Sequence, residues 1–191
     1  MDGCMKILGF TGLPWSGKSE AVSFAKQKDI PVFRMGDFIW AEVEKRKLPM
    51  NASTVGRVAS EMRKTFGSAI WAKKTVEAIE KIANSSIVVI DGIRSISEVT
   101  FFRSHLSDSF LLVAIIASDG IRHNRAKMRG RIDDSSDESF ILKRDEREKE
   151  WGIEQVIDKA DVTIRNESSL DEFQQKIINL FSKEFRDESI D

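Results

Sequence analysis

Gly12-Leu13-Pro14-Trp15-Ser16-Gly17-Lys18-Ser19 fits G-x-x-x-x-G-K-[S/T], and it stands between an apolar run, Met5 to Thr11, and a helix-like run, Gly17 to Gln27. Phosphate binding is the chemistry this spacing serves. Successive backbone N–H groups of such a loop form a nest, and the positive end of the following helix adds to the field where a phosphate chain lies. Lys18 then reaches the terminal phosphates as a point charge, Ser19 offers a hydroxyl to Mg²⁺, and Glu20 follows in the first helical turn. An ordinary strand-to-helix turn with an exposed lysine is the alternative, and the flanking strand and helix weigh against it.

Trp15 is the unusual letter. It occupies a position where a small residue, usually Gly, is expected, and φ > 0 there costs a bulky side chain on the order of 1 kcal/mol. Either the loop takes another path or the indole has a task that outweighs the strain.

Other residues able to do chemistry lie downstream. Ile87-Val88-Val89-Ile90 ends in Asp91-Gly92-Ile93-Arg94. A carboxylate at the C-terminal end of a buried parallel strand borders the ligand crevice of an open α/β sheet and can hold Mg²⁺. Arg94 carries a fork that grips phosphate bidentately, or else forms a salt bridge at the strand end. Arg122, Arg125 and Arg129 recur at i, i+3 and i+7 on one helix, and Arg144 and Arg147 sit on the next. Such an array repels itself unless an anion neutralises it, which favours a phosphate clamp; Asp133, Asp134, Asp137 and Glu138 offer surface pairing as the alternative. Arg57 and Arg63 fall off their helix's apolar stripe, facing either an anion or solvent.

The elements that must position these residues alternate between strand and helix. Pro31 pushes Ile30 toward an extended backbone, so Val32-Phe33-Arg34 begins a second strand. Phe38 to Lys47 reads as a helix, with Asp37 capping it or favouring its positive end. From Ser53, Val55, Val58, Ala59, Met62 and Phe66 recur at helical spacing, and after Gly67 so do Ala69, Ala72, Val76, Ile79 and Ala83. Phe110 to Ala117 is a further buried strand. Ser118 or Asp119 opens the arginine helix and Gly130 ends it; Ser135-x-x-Glu138 reads as a capping box. Ala160 to Ile164 gives the last strand. Ser168 or Ser169 then caps a helix with Leu170, Phe173, Ile177 and Phe181 inward.

At 191 residues, 41% of them hydrophobic, one well-cored domain is expected. A net charge of −1 argues against nucleic acid and anionic membrane as partners. Cys4 is the single cysteine, and His105 and His123 are the two histidines, so a cysteine-based metal cluster is excluded. No apolar stretch reaches the roughly 20 residues of a membrane span, and the chain reads as cytoplasmic.

This constellation resembles the nucleoside-monophosphate-kinase branch of P-loop proteins, and most closely an archaeal-type family related to dephospho-CoA kinase and adenylate kinase. The resemblance rests on the loop, Met35-Gly36-Asp37, Asp91-Gly92-Ile93-Arg94, Arg131-Ile132-Asp133-Asp134 with Lys143-Arg144, and Ala160-Asp161 followed by Asn166. It implies an α/β, three-layer P-loop fold with a five-stranded parallel sheet, a helical acceptor lobe at about 36–83 and a lid at about 118–150. It further implies ATP and Mg²⁺. Lys18 would stabilise the moving phosphoryl group, Ser19 and Asp91 would hold the metal, and Arg125, Arg129, Arg131 and Arg144 would close over the phosphates. Asp37 and Arg94 match acceptor-side positions, and the Asn166 turn matches a segment packed against the donor base. Trp40 departs from this pattern, standing where related kinases carry an arginine that grips the acceptor phosphate. With Arg57 and Arg63, it belongs to the expected acceptor side.

The function expected is ATP-dependent phosphorylation of a small, nucleotide-like acceptor. The rival is an ATP-binding regulator or assembly factor without a small-molecule product, which Trp15 and Trp40 favour and which leaves room for a protein partner. A guanine-specific switch is disfavoured because no Asn-Lys-x-Asp motif occurs.

Overall fold

The computed structural model describes residues 5–82, 85–129 and 138–184. Strand β1 (Lys6–Thr11) is followed by α1 (Lys18–Gln27), β2 (Val32–Arg34), α2 (Met35–Lys45), α3 (Ala52–Phe66), α4 (Ile70–Ile79) and β3 (Ile87–Asp91). The second half runs α5 (Ile96–Leu106), β4 (Phe110–Ile116), α6 (Asp119–Arg129), α7 (Glu138–Glu150), α8 (Ile153–Asp158), β5 (Val162–Arg165) and α9 (Leu170–Glu184). All strand pairings are parallel, in the order β2-β3-β1-β4-β5. This is the five-stranded α/β P-loop fold that the sequence implies.

Both faces of the sheet are covered, so neighbouring residues of one strand enter different cores. Ile7, Val88, Ile90 and Leu112 pack with Val58, Met62, Trp71 and Val76 from α3 and α4, and with Val99 and Phe102 from α5. Leu8, Phe10, Val89, Val113 and Ile115 pack with Ala21 and Ala25 of α1 and with Phe173, Ile177 and Phe181 of α9. Because β1 lies between β3 and β4, the chain departs to either side of it, and the crevice at such a switch point opens beyond the strand's carboxyl end. The Gly12–Ser19 loop occupies that point.

Three local features depart from the pattern read from sequence. Helix α2 begins at Met35, with Arg34 as its extended N-cap residue, so Asp37 lies in the first turn and caps nothing; its carboxylate pairs with Arg34 at 2.7 Å. Two helices were hidden, α5 and α8. The first is opened by a capping box in which Ser95 Oγ accepts from Glu98 N–H and the Glu98 carboxylate accepts from Ser95 N–H. Short α8 follows left-handed Gly152, φ 86°. The box expected at Ser135 lies outside the described residues, as do Ala83 and Gly130. Ser169, of the two serines proposed, caps α9 by accepting from Glu172 N–H. Among the described residues no helix is long and apolar enough to cross a membrane.

Candidate functional site

The loop needs glycine at both ends. Gly12 has φ 140° and Gly17 φ 111°, and a Cβ would come 2.2 Å from Ile115 O at the first and 2.2 Å from Asn166 Nδ2 at the second. Inside the loop Lys18 Nζ donates to Gly12 O at 2.5 Å and Leu13 O at 3.0 Å. Burial lowers its pKa to about 8; Asp91 and then Glu148 oppose that, while Arg94 and Arg144 add to it. Ser16 Oγ is buried without a hydrogen-bond partner among the described residues. An unpartnered hydroxyl and a desolvated ammonium beside a glycine cradle fit a phosphate chain, which supplies acceptors to both.

A pH dependence follows from Lys18. A phosphate chain requires the ammonium, so between about pH 8 and the ordinary 10.5 binding must first take up a proton. Affinity for an ATP analogue is therefore expected to fall by up to about tenfold per pH unit above 8. Fold stability moves oppositely, rising across the same window because the unfolded chain binds a proton that the folded one lacks. Calorimetric titration in buffers of different ionisation enthalpy reads the proton uptake directly.

The loop is held from behind by its carbonyls. Arg122 Nη1 donates to Pro14 O at 3.0 Å, and Asn166 Nδ2 donates to Ser16 O at 2.8 Å. Arg125 in turn donates to Asn166 O at 3.2 Å and to Asn166 Oδ1 at 3.1 Å. In a trans peptide C=O and N–H point oppositely, so fixing the Pro14 and Ser16 carbonyls aims the Trp15 and Gly17 amides the other way. Asn166, expected beside the donor base, uses its buried side chain on the loop.

Arg122 is fully buried and reaches Asp145 at 2.9 and 2.6 Å and Asp119 at 2.7 Å. Its guanidinium ties α6, α7 and the loop together, so the arginine face divides: Arg122 and Arg125 serve the loop's geometry. The side chain of Arg129, and Arg131 altogether, lie outside the described residues. Arg144 lies over the Trp15 ring at 5.0 Å.

Trp15 has φ 60°, and its indole is buried against Ala126 of α6 and Ile141 of α7. The indole thus joins the loop to both helices, and this packing outweighs the backbone strain. Trp15→Gly should relieve about 1 kcal/mol of strain but lose several kcal/mol of packing, a net destabilisation of roughly 2–4 kcal/mol. Urea unfolding measures this; an unchanged midpoint contradicts it.

Cavities open on both sides of the loop. One of about 250 Å³ is lined by Lys18, Ser19, Asp91, Arg94, Arg144 and Glu148, with Arg34, Gly36 and Trp40 from the start of α2. The other, about 440 Å³, is lined by Gly17, Ser19, Glu20, Arg125, Met128, Asn166 and Leu170. Trp15 and Ser19 border both. Trp40 is half exposed, with the Arg34 guanidinium 5.4 Å from its ring. Asp37, Arg57 and Arg63 do not line either cavity: they pair with Arg34, Glu61 at 2.9 Å and Glu98 at 3.2 Å. Ser19 and Asp91 share one cavity, a hard-oxygen donor pair suited to Mg²⁺ that also takes phosphate oxygens.

Glu148 lies outside every motif described above, yet it is buried and pairs with Arg94 at 3.0 Å. A signal was present: Ile141, Asp145 and Glu148 recur at i, i+4 and i+7, placing two carboxylates on the buried face of α7. Trp151 lies outside those motifs as well; the guanidinium carbons of Arg63, Arg94 and Arg147 lie 5.1, 5.6 and 5.4 Å from its ring.

Comparison with known proteins places this geometry. Residues 11–142 match a family model described as an AAA domain. UPF0200 protein Mbar_A0975 of Methanosarcina barkeri is 40% identical over 182 residues, covering 95% of this chain and 97% of the relative. The chain belongs to the UPF0200 family. UPF0200 protein MJ1399 of Methanocaldococcus jannaschii is 37% identical, with 94% of each chain covered. Among solved structures, TT1252 from Thermus thermophilus superposes with TM-score 0.64 at 17% identity, covering 94% of this UPF0200 chain and 97% of that one. Shikimate kinase from Bacteroides thetaiotaomicron follows with TM-score 0.54, 13% identity, and coverage of 94% and 98%. These two share the fold with the UPF0200 chain. The P-loop kinase-like architecture expected from the motifs is thereby shown.

Proposed function

We propose that this UPF0200 protein is an ATP-dependent phosphotransferase that moves the γ-phosphoryl group to a small acceptor. One observation carries the reading: the two cavities meet at a phosphate loop whose lysine and strand-end carboxylate face the smaller one. In this reading the donor base lies in the larger cavity, against Arg125, Met128 and Leu170 and beside the Asn166 turn. The phosphate chain follows Gly12 to Ser19. Lys18 leaves the Gly12 and Leu13 carbonyls for the terminal phosphate, where its charge is worth most as the transition state forms. Ser19 and Asp91 hold Mg²⁺, which neutralises and orients phosphate oxygens when bound.

The acceptor takes the smaller cavity. Arg94 and Arg144 supply positive charge there, and Arg34 and Trp40 form its α2 side. Asp37, Arg57 and Arg63 act on this side only through the carboxylates or guanidinium they already hold. Arg129 and Arg131 remain proposed phosphate ligands from the resemblance. The chain works as a single P-loop kinase-like domain over 1–191, with residues 36–83 as acceptor lobe and 118–150 as lid; the Trp15 and Arg144 contact links loop to lid.

Two measurements test this. ATP and Mg²⁺ are offered with nucleoside monophosphates, dephospho-CoA or water alone: a Lys18-dependent phosphorylated product is expected. Release of inorganic phosphate alone under every condition would favour the regulator. Hydrogen exchange with a non-hydrolysable ATP analogue should show protection in α6 and α7 as well as in the loop. Protection confined to Gly12–Ser19 would remove the lid from the mechanism.

A further inference from the structure

Glu148 has no role in the scheme above, yet it is placed for one. Its side chain is almost fully buried, 3% exposed, and lines the smaller cavity with Lys18, Asp91 and Arg94. Its charge acts on Lys18, alongside that of Asp91. Asp91 ends β3 beside Ser19 and is committed to the metal. Asp37 is turned to Arg34 on the exposed surface of α2. Among the described residues, Glu148 is then the carboxylate left facing the acceptor space.

A buried carboxylate in that position discriminates between acceptors. Arg34 and Arg144 also line the cavity, yet a phosphate dianion placed beside Glu148 meets like charge and finds the Arg94 guanidinium already engaged by Glu148 Oε1 at 3.0 Å. A hydroxyl meets the opposite situation, because an ionised carboxylate has lone pairs beyond the one Arg94 uses and accepts an O–H bond readily. We propose that Glu148 is the group that orients and deprotonates the acceptor, and that the acceptor therefore presents a hydroxyl rather than a phosphate.

This inference rests on the phosphotransferase reading and adds the acceptor's class and a catalytic residue. In the step, the acceptor oxygen forms its bond to the γ-phosphorus while its proton passes to the Glu148 carboxylate. The bond from γ-phosphorus to the bridging oxygen breaks, and its electron pair stays on the β-phosphate of ADP, beside Lys18. Glu148 returns its proton to solvent when product leaves. Water, as the smallest hydroxyl acceptor, follows the same course to inorganic phosphate.

The test compares wild type with Glu148→Gln, which keeps an oxygen for Arg94 and nearly the same shape but cannot take the proton. Single-turnover hydrolysis of γ-labelled ATP with Mg²⁺ should slow at least about tenfold, given the roughly 10²- to 10⁴-fold range for general bases. Affinity for a non-hydrolysable ATP analogue should stay within about twofold at about pH 6.5, well below the Lys18 pKa of about 8 that the Glu148 charge helps to hold up. AMP affinity, measured on protein already loaded with that analogue, should rise about ten- to a hundredfold as the repulsion goes and a neutral amide holds Arg94 less firmly than the carboxylate did. Unchanged hydrolysis or unchanged AMP affinity overturns the role of Glu148. Wild type supplies a second arm even where the variant does not fold. Given ATP, Mg²⁺ and isotope-labelled AMP, CMP, GMP or UMP, it should leave the label in the monophosphate, and labelled diphosphate overturns the proposal. An ATP analogue that does not bind wild type at all is a separate failure, that of the phosphotransferase reading.

Discussion

Lys18→Ala is expected to slow ATP turnover by about 10²- to 10³-fold without lowering the stability of the fold. The two halves of this result have one cause. Burial lowers the Lys18 pKa to about 8, so the folded protein holds the ammonium at a cost and gains little from it beyond two hydrogen bonds to loop carbonyls. A phosphate chain reverses that balance, because the desolvated charge then faces an opposite one where developing charge is greatest. Removing the side chain therefore costs the native state nothing, or relieves the desolvation penalty, and destabilises the transition state. Initial rates with saturating ATP, together with a melting curve, check both halves. Turnover within about threefold of wild type would remove Lys18 from the chemistry.

Arg122→Met should produce the largest loss of stability, about 3–5 kcal/mol, because it strands a buried carboxylate. Among the described residues Asp145 would keep only the 3.1 Å contact with His123, and Pro14 O would lose its donor. Affinity for an ATP analogue should fall as well, since the carbonyl that fixes the Trp15 amide is released. Removing both members of the pair, as in Arg122→Met with Asp145→Leu, should recover much of the stability, because no buried charge is left unpaired and Asp119, which also loses Arg122, is exposed to solvent. It should not recover nucleotide affinity, since the loop carbonyl still lacks its donor. Urea unfolding of the single and double variants separates these outcomes, and a loss below about 1 kcal/mol in the single variant contradicts the structural role.

Much of this arrangement was legible in the sequence. The loop, its strand and its helix were read correctly because the glycine positions and the buried run of β1 depend on local backbone chemistry. Continuous β-branched and aliphatic runs likewise marked β3 and β4, which are covered on both faces. What the sequence hid was the use made of charge. Arg122 and Arg125 share a helical face that suggests a ligand clamp, but Asp145 approaches from α7 and Asn166 from beyond β5, and neither is near them in sequence. Trp15 looked like a defect in the loop until α6 and α7 supplied its surroundings. Glu148 sits in a run of mixed charges, Asp145-Glu146-Arg147-Glu148-Lys149-Glu150, that reads as a solvated surface. Only its register with Ile141 and Asp145 distinguishes it. Helix α5 was missed for a simpler reason: Ser95-x-x-Glu98 carries a cap, but the helix behind it has apolar residues on several sides and no clean stripe.

The proposed reaction takes the γ-phosphoryl group of ATP from the Gly12–Ser19 loop to a small molecule in the adjoining cavity. It is tested most directly by following γ-labelled ATP through one turnover, with Mg²⁺ and a protein-free extract of cellular small molecules, using wild type and Lys18→Ala in parallel. Label should move from ATP into a new acid-stable compound with wild type and stay in ATP with the variant. Label that remains in ATP with both proteins, or that appears only as inorganic phosphate, would contradict it.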